Sequence, residues 1–488
     1  MTAADTEQFD VVVVGGGPAG SSLSTLVAMR GHRVLLLEKE KFPRYQIGES
    51  LLPATVLGTC NLLGVGDELR RAGFTVKRGG SFKWGTNPEP WTLDFVASIP
   101  GLQVPEPAYQ VERMKFDDLL LRNARRNGVD VRENCTVGGV LRDGDRVTGV
   151  RFVDREAQPR TALARYVVDA SGNGSRIHQE VSGQRIYSDF FRNIALFGYF
   201  RGGKRLPAPY SGNILSAAFK SGWFWYIPLR PDLTSVGAVV SREMADKVRG
   251  DREQALRALI AESPLISDFL DGVPRVTEGV YGTIRTRKDY SYSAPSFWRP
   301  GMVLVGDAAC FVDPVLSSGV HLATYSGLLA ARSINAVLAG DVPEATAFDE
   351  FESRYRREYG NFYEFLVSFY DRHVDENSYF WSAKKITNHP ASDLEAFTSL
   401  VGGLTTGEQV ATEDGIWQPP AIELGTAAGR YPDWDTDRHI RFDPRHPIFE
   451  ARQWVPGGVP HQGPRPGGLI PSSDGLQWTV PASQPSAG

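Results

Sequence analysis

Cysteine is scarce: Cys60, Cys135 and Cys310 are the only three in 488 residues, and they stand far apart. None forms a CxxC pair, which argues against a disulfide framework or a cysteine zinc site and fits a reducing, cytoplasmic setting. The eight histidines are scattered without an HxxxH or HxH pair, so no metal site is expected. A GxSxG nucleophile elbow is missing, which removes the usual basis for Ser-His-Asp chemistry. No run of about 18 apolar residues occurs, so no transmembrane helix is expected. The opening MTAADTEQFDVVVVGGG has no basic segment ahead of its apolar run and does not read as a secretory signal. An excess of one charge is lacking too: 53 basic against 57 acidic residues leave a net −4, with no electrostatic reason to expect nucleic acid or an anionic membrane. No internal repeat is visible. What is present, 41% hydrophobic and 23% charged residues, suffices for a substantial core.

The chain opens as a βαβ unit. Val11-Val12-Val13-Val14 reads as a strand buried on both faces, and Gly15 to Gly20 leads into a helix through Arg30. Gly31 ends that helix, and Arg33 to Glu38 reads as the second strand. Two later strands, Ala164–Ala170 and Gly301–Asp307, look like returns to the same domain, followed by a helix from about Gly319 to Leu338. Between them, about 180–290 is β-rich and suggests an antiparallel sheet. Residues 341–414 read as helical and aromatic-rich, and the run Phe362 to Tyr370 is expected to pack on the main body. From 415 to 488 the Pro/Gly-rich composition predicts an extended or disordered tail, wrapped over the surface.

Gly15-x-Gly17-x-x-Gly20 sits between strand and helix. Gly15 permits the turn, Gly17 lets backbone approach a pyrophosphate at the helix N-terminus, and Gly20 allows close packing. Glu38 closes the second strand about 20 residues on, where an acid can accept from a ribose hydroxyl. Together they predict a dinucleotide.

Gly306-Asp307-Ala308-Ala309 resembles the second FAD motif of the glutathione-reductase-type flavoproteins, whose Asp contacts the ribityl chain. Residues 1–340 resemble the aromatic-hydroxylase fold: an α/β FAD-binding Rossmann-type domain in segments of about 8–110, 150–180 and 295–340, with an antiparallel substrate sheet. Three strings narrow the family. Trp223-Phe224-Trp225-Tyr226-Ile227-Pro228 matches the WxWxIP motif of the flavin-dependent halogenases. Gly48-Glu49-Ser50-Leu51-Leu52-Pro53 resembles their GES loop, and Phe311 to Val320 resembles the segment beside the isoalloxazine. The resemblance spans about 8–375 and implies FAD contacts at Gly15, Gly17, Pro18, Ala19, Gly20, Glu38, Lys39, Arg44, Ser50, Arg113, Asp307, Gly319 and Val320. Arg113 reads equally well as a surface ion pair. His321 is expected to pack rather than touch the flavin.

Chemistry gives these strings a reason. Trp223 and Trp225 alternate by two, so on a strand they share a face, and Pro228 is expected to end the strand. Two indoles can wall the flavin from a substrate cavity and deny NAD(P)H a direct approach. The resemblance places the essential lysine at Lys77, with Lys83 and Arg78 as neighbours to be told apart from it. It implies that FADH2 and O2 form a C4a-hydroperoxide, that chloride attacks it to release hypochlorous acid, and that Lys77 delivers the chlorine. Apolar surroundings lower a lysine pKa and favour the nucleophilic amine. Ser318 and Gly319 are the implied chloride donors, although Ser317 or Ser318 can also act as a plain helix N-cap. Tryptophan halogenases carry a glutamate just before this Ser-Ser-Gly position; here it is Leu316. That departure points to the phenol/pyrrole branch. Lys83-Trp84-Gly85 and Pro90 to Phe95 resemble halogenases acting on tyrosyl or β-tyrosyl groups tethered to a peptidyl carrier protein, in natural-product (antibiotic) biosynthesis. A separate flavin reductase and the carrier protein are the implied partners. An aromatic hydroxylase that reduces its own flavin is the first alternative; a flavoprotein that binds without turnover is the second.

Overall fold

The computed structural model describes residues 6–84, 89–98, 102–371, 393–406, 408–412, 415–417 and 468–481. The strand Thr6–Val14 lies at the centre of the first sheet, with its four valines at 0–8% exposure. It pairs in parallel with Val34–Leu37 on one side and Pro159–Asp169 on the other, and the parallel order continues to Met302–Leu304 and Asp130–Arg132. Trp298–Arg299 adds an antiparallel edge, and a hairpin of Thr136–Asp143 with Arg146–Val153 extends Pro159–Asp169. The expected cofactor segments omitted residues 111–149, yet these supply the helix Arg113–Arg126, two strands of this sheet and the start of a third.

Close approach of helices to the sheet demands small residues. A Cβ on Gly20 would lie 1.9 Å from the Gly15 carbonyl oxygen. Gly15 itself has φ +107°, and a Cβ there would lie 2.5 Å from the Ala170 oxygen. The helix Pro18–Ala28 packs against the helix Gly319–Ala339 through Gly327, whose Cβ would meet the Ala19 oxygen at 2.8 Å.

The second sheet has eight strands in the order Cys310–Phe311, Arg285–Ser293, Ile186–Phe200, Leu233–Val240, Gly222–Arg230, Ile214–Phe219, Gly79–Lys83, Trp91–Asp94. It draws two strands from 79–94, outside the expected bounds of 180–290. It is also not wholly antiparallel: Ile214–Phe219 runs parallel to Gly79–Lys83. The strand Gly222–Arg230 is buried on both faces. Trp223, Trp225 and Ile227 belong to the main core, whereas Phe224 and Tyr226 join a second core with the helix Arg252–Ala261. Pro228 does not end this strand. Pairing with Leu233–Val240 continues to Arg230, and the proline, lacking an N–H, is absorbed by a register irregularity between Pro228 and Arg230.

The helical region is the long helix Glu344–Asp371, packed on Gly319–Ala339, together with Asp393–Val401. Phe362, Tyr363, Phe365, Leu366 and Phe369 are at most 3% exposed. The boundary at 414/415 cuts a hairpin of Val410–Thr412 with Gly415–Trp417. Most of the Pro/Gly-rich tail lies outside the described residues, but 468–481 is a folded clip. Its hairpin seats Trp478 at 0% exposure, with Nε1 donating to Ser333 Oγ at 3.0 Å. No described helix is long and apolar enough to cross a membrane.

Candidate functional site

A cavity of about 520 Å³ opens where the C-terminal ends of the first-sheet strands meet the second sheet. Every expected cofactor residue except Gly20 lines it; Gly20 serves helix–strand packing instead. Gly17 caps the helix Pro18–Ala28, whose first N–H groups have no intrahelical acceptor. Arg44 approaches Gly17: its Nη2 would stand 3.5 Å from a Cβ there, and its Nη1 is held by Asp117 at 2.8 Å. This corner offers backbone donors and a guanidinium to an anionic pyrophosphate.

Glu38 accepts from the Gly16 N–H at 2.6 Å and the Glu40 N–H at 2.8 Å. Those bonds hold the carboxylate at the cavity wall with further lone pairs for a ribose. Arg113 is no surface ion pair. It is 7% exposed, grips Asp117 through Nε and Nη2 at 2.7 and 2.9 Å, and donates to the Ile47 oxygen at 2.7 Å. It thereby braces the loop leading to Gly48-Glu49-Ser50. Asp307 faces Arg287 at 3.7 Å. Several buried polar atoms around this space lack partners, among them Ser50 Oγ, Glu49 Oε2 and Trp223 Nε1. Buried polar groups are rarely left so; a glycine-lined cradle with orphaned donors and acceptors fits FAD.

Trp223 and Trp225 form one wall, their ring centroids 6.2 Å apart, and Trp225 Nε1 donates to Ser235 Oγ at 3.2 Å. The loop Pro314–Ser317 forms the floor. Ser317 has φ +60°, and this left-handed turn aims the N-terminus of Gly319–Ala339 at the cavity. Ser318 is fully buried but makes no capping bond, and its Oγ has no partner. A plain N-cap by Ser318 is therefore not what the structure holds; the hydroxyl and the free N–H groups are available to an anion. Ser318 itself does not line the large cavity, whereas Ser317, Gly319 and Val320 do. His321 points away, its Nε2 3.0 Å from Glu358 and its ring stacked on Tyr325.

Lys77 sits behind the GES loop. Its strand Thr75–Lys77 pairs with Ala108–Gln110, and the side chain is 2% exposed. Nζ donates to the Leu51 oxygen at 2.9 Å and lies 5.5 Å from the Phe95 ring centre. Burial lowers its pKa from the ordinary 10.5 to about 7. Glu49 and Ser50 line the cavity while the next residue holds Lys77, so the loop stands between the two. Arg78, paired with Asp94 at 3.3 Å, and the half-buried Lys83 differ from it in exposure. Beyond Lys77, Phe82 stacks on Trp91 and Trp84 packs on Phe369, each at 4.7 Å; Gly85 lies outside the described residues.

Sequence reasoning did not single out Glu49, Tyr45 or Arg287 as lining residues. Glu49 stood in plain sight within its triplet. Arg287 lies in the charged stretch Arg285-Thr286-Arg287-Lys288, which gives no sign of which side faces the cavity.

Comparison with known proteins places this geometry. A family model described as tryptophan halogenase matches residues 10–106 and 98–433. A tryptophan 2-halogenase from Chondromyces crocatus is 34% identical over 406 residues, covering 81% of this chain and 75% of the relative. The solved structure of a myxobacterial chondrochloren halogenase, CndH, described as a new variant of FAD-dependent halogenases, is 53% identical. It covers 97% of this chain and 100% of its own, with a TM-score of 0.78. CmlS, a flavin-dependent halogenase, is 34% identical over 77% of this chain and 67% of its own, with a TM-score of 0.68.

Proposed function

Because the chain belongs to the flavin-dependent tryptophan-halogenase family, and so is an FAD-dependent halogenase working with FADH2, O2 and halide, we propose that it chlorinates a phenolic ring, a tyrosyl or β-tyrosyl group carried on a peptidyl carrier protein. The observation that carries the phenol is Leu316, 2% exposed and apolar, beside the halide loop. A phenol brings its own electron-releasing oxygen and does not require a carboxylate there. The carrier-bound form is supported by the resemblance around Trp84 and Trp91.

Bound reduced FAD, with O2, supplies the oxidising equivalent that turns chloride into hypochlorous acid. The chain's residues do the rest. Gly15, Gly17, Glu38, Arg44, Arg113 and Asp307 bind and orient the cofactor; Ser318 and the N–H groups of Gly319 and Val320 hold the halide. Trp223 and Trp225 keep the oxidant from bulk water and from other nucleophiles. Lys77, partly neutral at physiological pH, accepts the chlorine at Nζ or hydrogen-bonds the acid and presents it to a fixed ring carbon. Electrons reach the flavin from a separate reductase, since the indole wall denies a nicotinamide direct access.

The test is to incubate the protein with FAD, a generic flavin reductase, NADH, O2, chloride and tyrosyl-loaded carrier, and weigh the carrier intact. A chloride-dependent exchange of hydrogen for chlorine, absent with free tyrosine, is expected. A gain of one oxygen would transfer the case to a hydroxylase; an unchanged carrier with chlorinated free phenols would remove the tether.

A further inference from the structure

Glu49 has no part in the scheme above, yet it is built into the cavity wall at 2% exposure. Its Oε1 accepts from the Tyr199 hydroxyl at 2.8 Å, and the Tyr199 and Tyr45 hydroxyls are 2.8 Å apart. Tyr199 is fully buried. Tyr45 is partly exposed, at the cavity edge, beneath the Arg285 guanidinium at 3.8 Å. A row of three exchangeable protons therefore leads from a wetted phenol to a buried carboxyl. At its inner end Oε2 makes no well-formed hydrogen bond. A buried carboxylate oxygen left so is costly; a neutral acid with its proton turned into the cavity is not.

The surroundings of Glu49 come from several elements. Tyr199 faces it from Ile186–Phe200, Ser235 from Leu233–Val240, and Arg113 and Glu112 from the start of Arg113–Arg126. Tyr281 packs on Tyr199 with centroids 4.4 Å apart and donates to Glu112 at 3.1 Å. Burial is the largest influence and pushes the carboxyl up to about 7; the nearby Ser235 and Tyr199 hydroxyls and Arg113 oppose it, and Glu112 adds to the rise.

Halogenation consumes a proton. An aromatic C–H and the reduced flavin yield three hydrogens, and the two waters formed from O2 carry four, while chloride brings the compensating negative charge. We propose that Glu49 is the proton donor to the flavin cavity and that Tyr199 and Tyr45 reload it from solvent. The O–H bond at Glu49 Oε2 breaks as an O–H bond forms on the oxygen leaving as water. The Tyr199 proton moves to Oε1, the Tyr45 proton to Tyr199, and water restores Tyr45.

This rests on the halogenase reading, so the test has one arm that needs no turnover. Infrared spectra of the oxidised FAD-bound protein are recorded across neutral pH. A protonated-carboxyl band that fades as pH rises through about 7, and is missing in Glu49→Gln, is expected. Tyr199→Phe, having lost a donor to the carboxylate, shifts the fading to higher pH. In turnover, Glu49→Gln lowers kcat about 100-fold with little change in KM. It also removes the fall in rate above neutral pH, while Glu49→Asp recovers part of the activity. Tyr199→Phe slows the enzyme mostly at high pH and is rescued by added imidazole, whichever way Glu49→Gln folds. An absent or non-titrating Glu49 band, or an unaltered kcat and pH profile in both variants, overturns the relay. A wild-type protein that chlorinates nothing counts against the halogenase assignment alone, because the infrared arm still decides whether Glu49 is an acid coupled to Tyr199.

Discussion

Lys77 shows at the scale of one residue what burying an amine costs in stability. In the unfolded chain its amine keeps the ordinary pKa of 10.5, whereas burial holds it near 7 in the fold. The folded pKa is depressed, so the unfolded chain binds the extra proton between those values, and stability rises with pH across that window and is lost as pH falls toward 7. At about 1.4 kcal/mol per pH unit the penalty near neutrality is several kcal/mol. Lys77→Met should therefore unfold at a higher temperature than wild type at neutral pH, with the gap narrowing as pH rises toward 10; a gap independent of pH would show that the amine is not desolvated. The same substitution should abolish chlorination while leaving FAD affinity intact. Ser318 is the second such residue. Its orphaned Oγ predicts that Ser318→Ala weakens chloride by about tenfold, the value of one hydrogen bond to an anion, read as a higher KM for chloride with KM for the ring substrate unchanged.

Two helices organise the site at the scale of elements. Pro18–Ala28 and Gly319–Ala339 cross in close contact, and their N-termini point free N–H groups at two parts of one cavity. Their far ends are fastened by the C-terminal clip. Asn335 Nδ2 bridges the Leu26 and Leu476 oxygens, Arg332 donates to the Gly475 oxygen at 2.8 Å, and Arg30 pairs with Asp474. Trp478 lies between the Arg332 and Arg354 guanidiniums, at 5.1 and 4.7 Å from its ring centre. Trp478→Ala should destabilise the protein by about 3–5 kcal/mol, seen as a lower Tm with faster amide exchange in Gly319–Ala339. FAD affinity should change much less, because the clip binds the ends remote from the cavity. Asp313 does for the loop Pro314–Ser317 what the clip does for the helices. It accepts from Asn193 at 2.9 Å, Tyr370 at 2.9 Å and the Val315 N–H at 3.0 Å, joining sheet, long helix and loop.

At the scale of the whole molecule, the two sheets enclose the cavity proposed for the flavin. The second sheet closes over the first with an indole wall, so the protein alone should not consume NADH or NADPH, and a reductase should restore turnover; steady oxidation of either nucleotide by the pure protein would refute this. Much of that plan was legible in the chain. Runs of β-branched residues set the buried parallel strands, Gly15, Gly17 and Glu38 marked one corner of the cavity, and Trp223 and Trp225 share a face because a strand repeats every two residues. These are local rules, readable where neighbours in sequence are neighbours in space. What only the tertiary structure decided depends on distant parts meeting. The second sheet takes strands from 79–94, Pro228 stays within a ladder, and Trp478 returns across 145 positions to Ser333. Desolvation belongs to the same class. Lys77, Lys83 and Arg78 look alike as letters, and only the packing of Leu51 and Phe95 around one of them brings its amine near the point of losing its proton at neutral pH. Glu49 likewise becomes an acid with a path to water only when residues 150 positions apart share a hydrogen bond, because burial is a property of the assembled core and not of any segment of it.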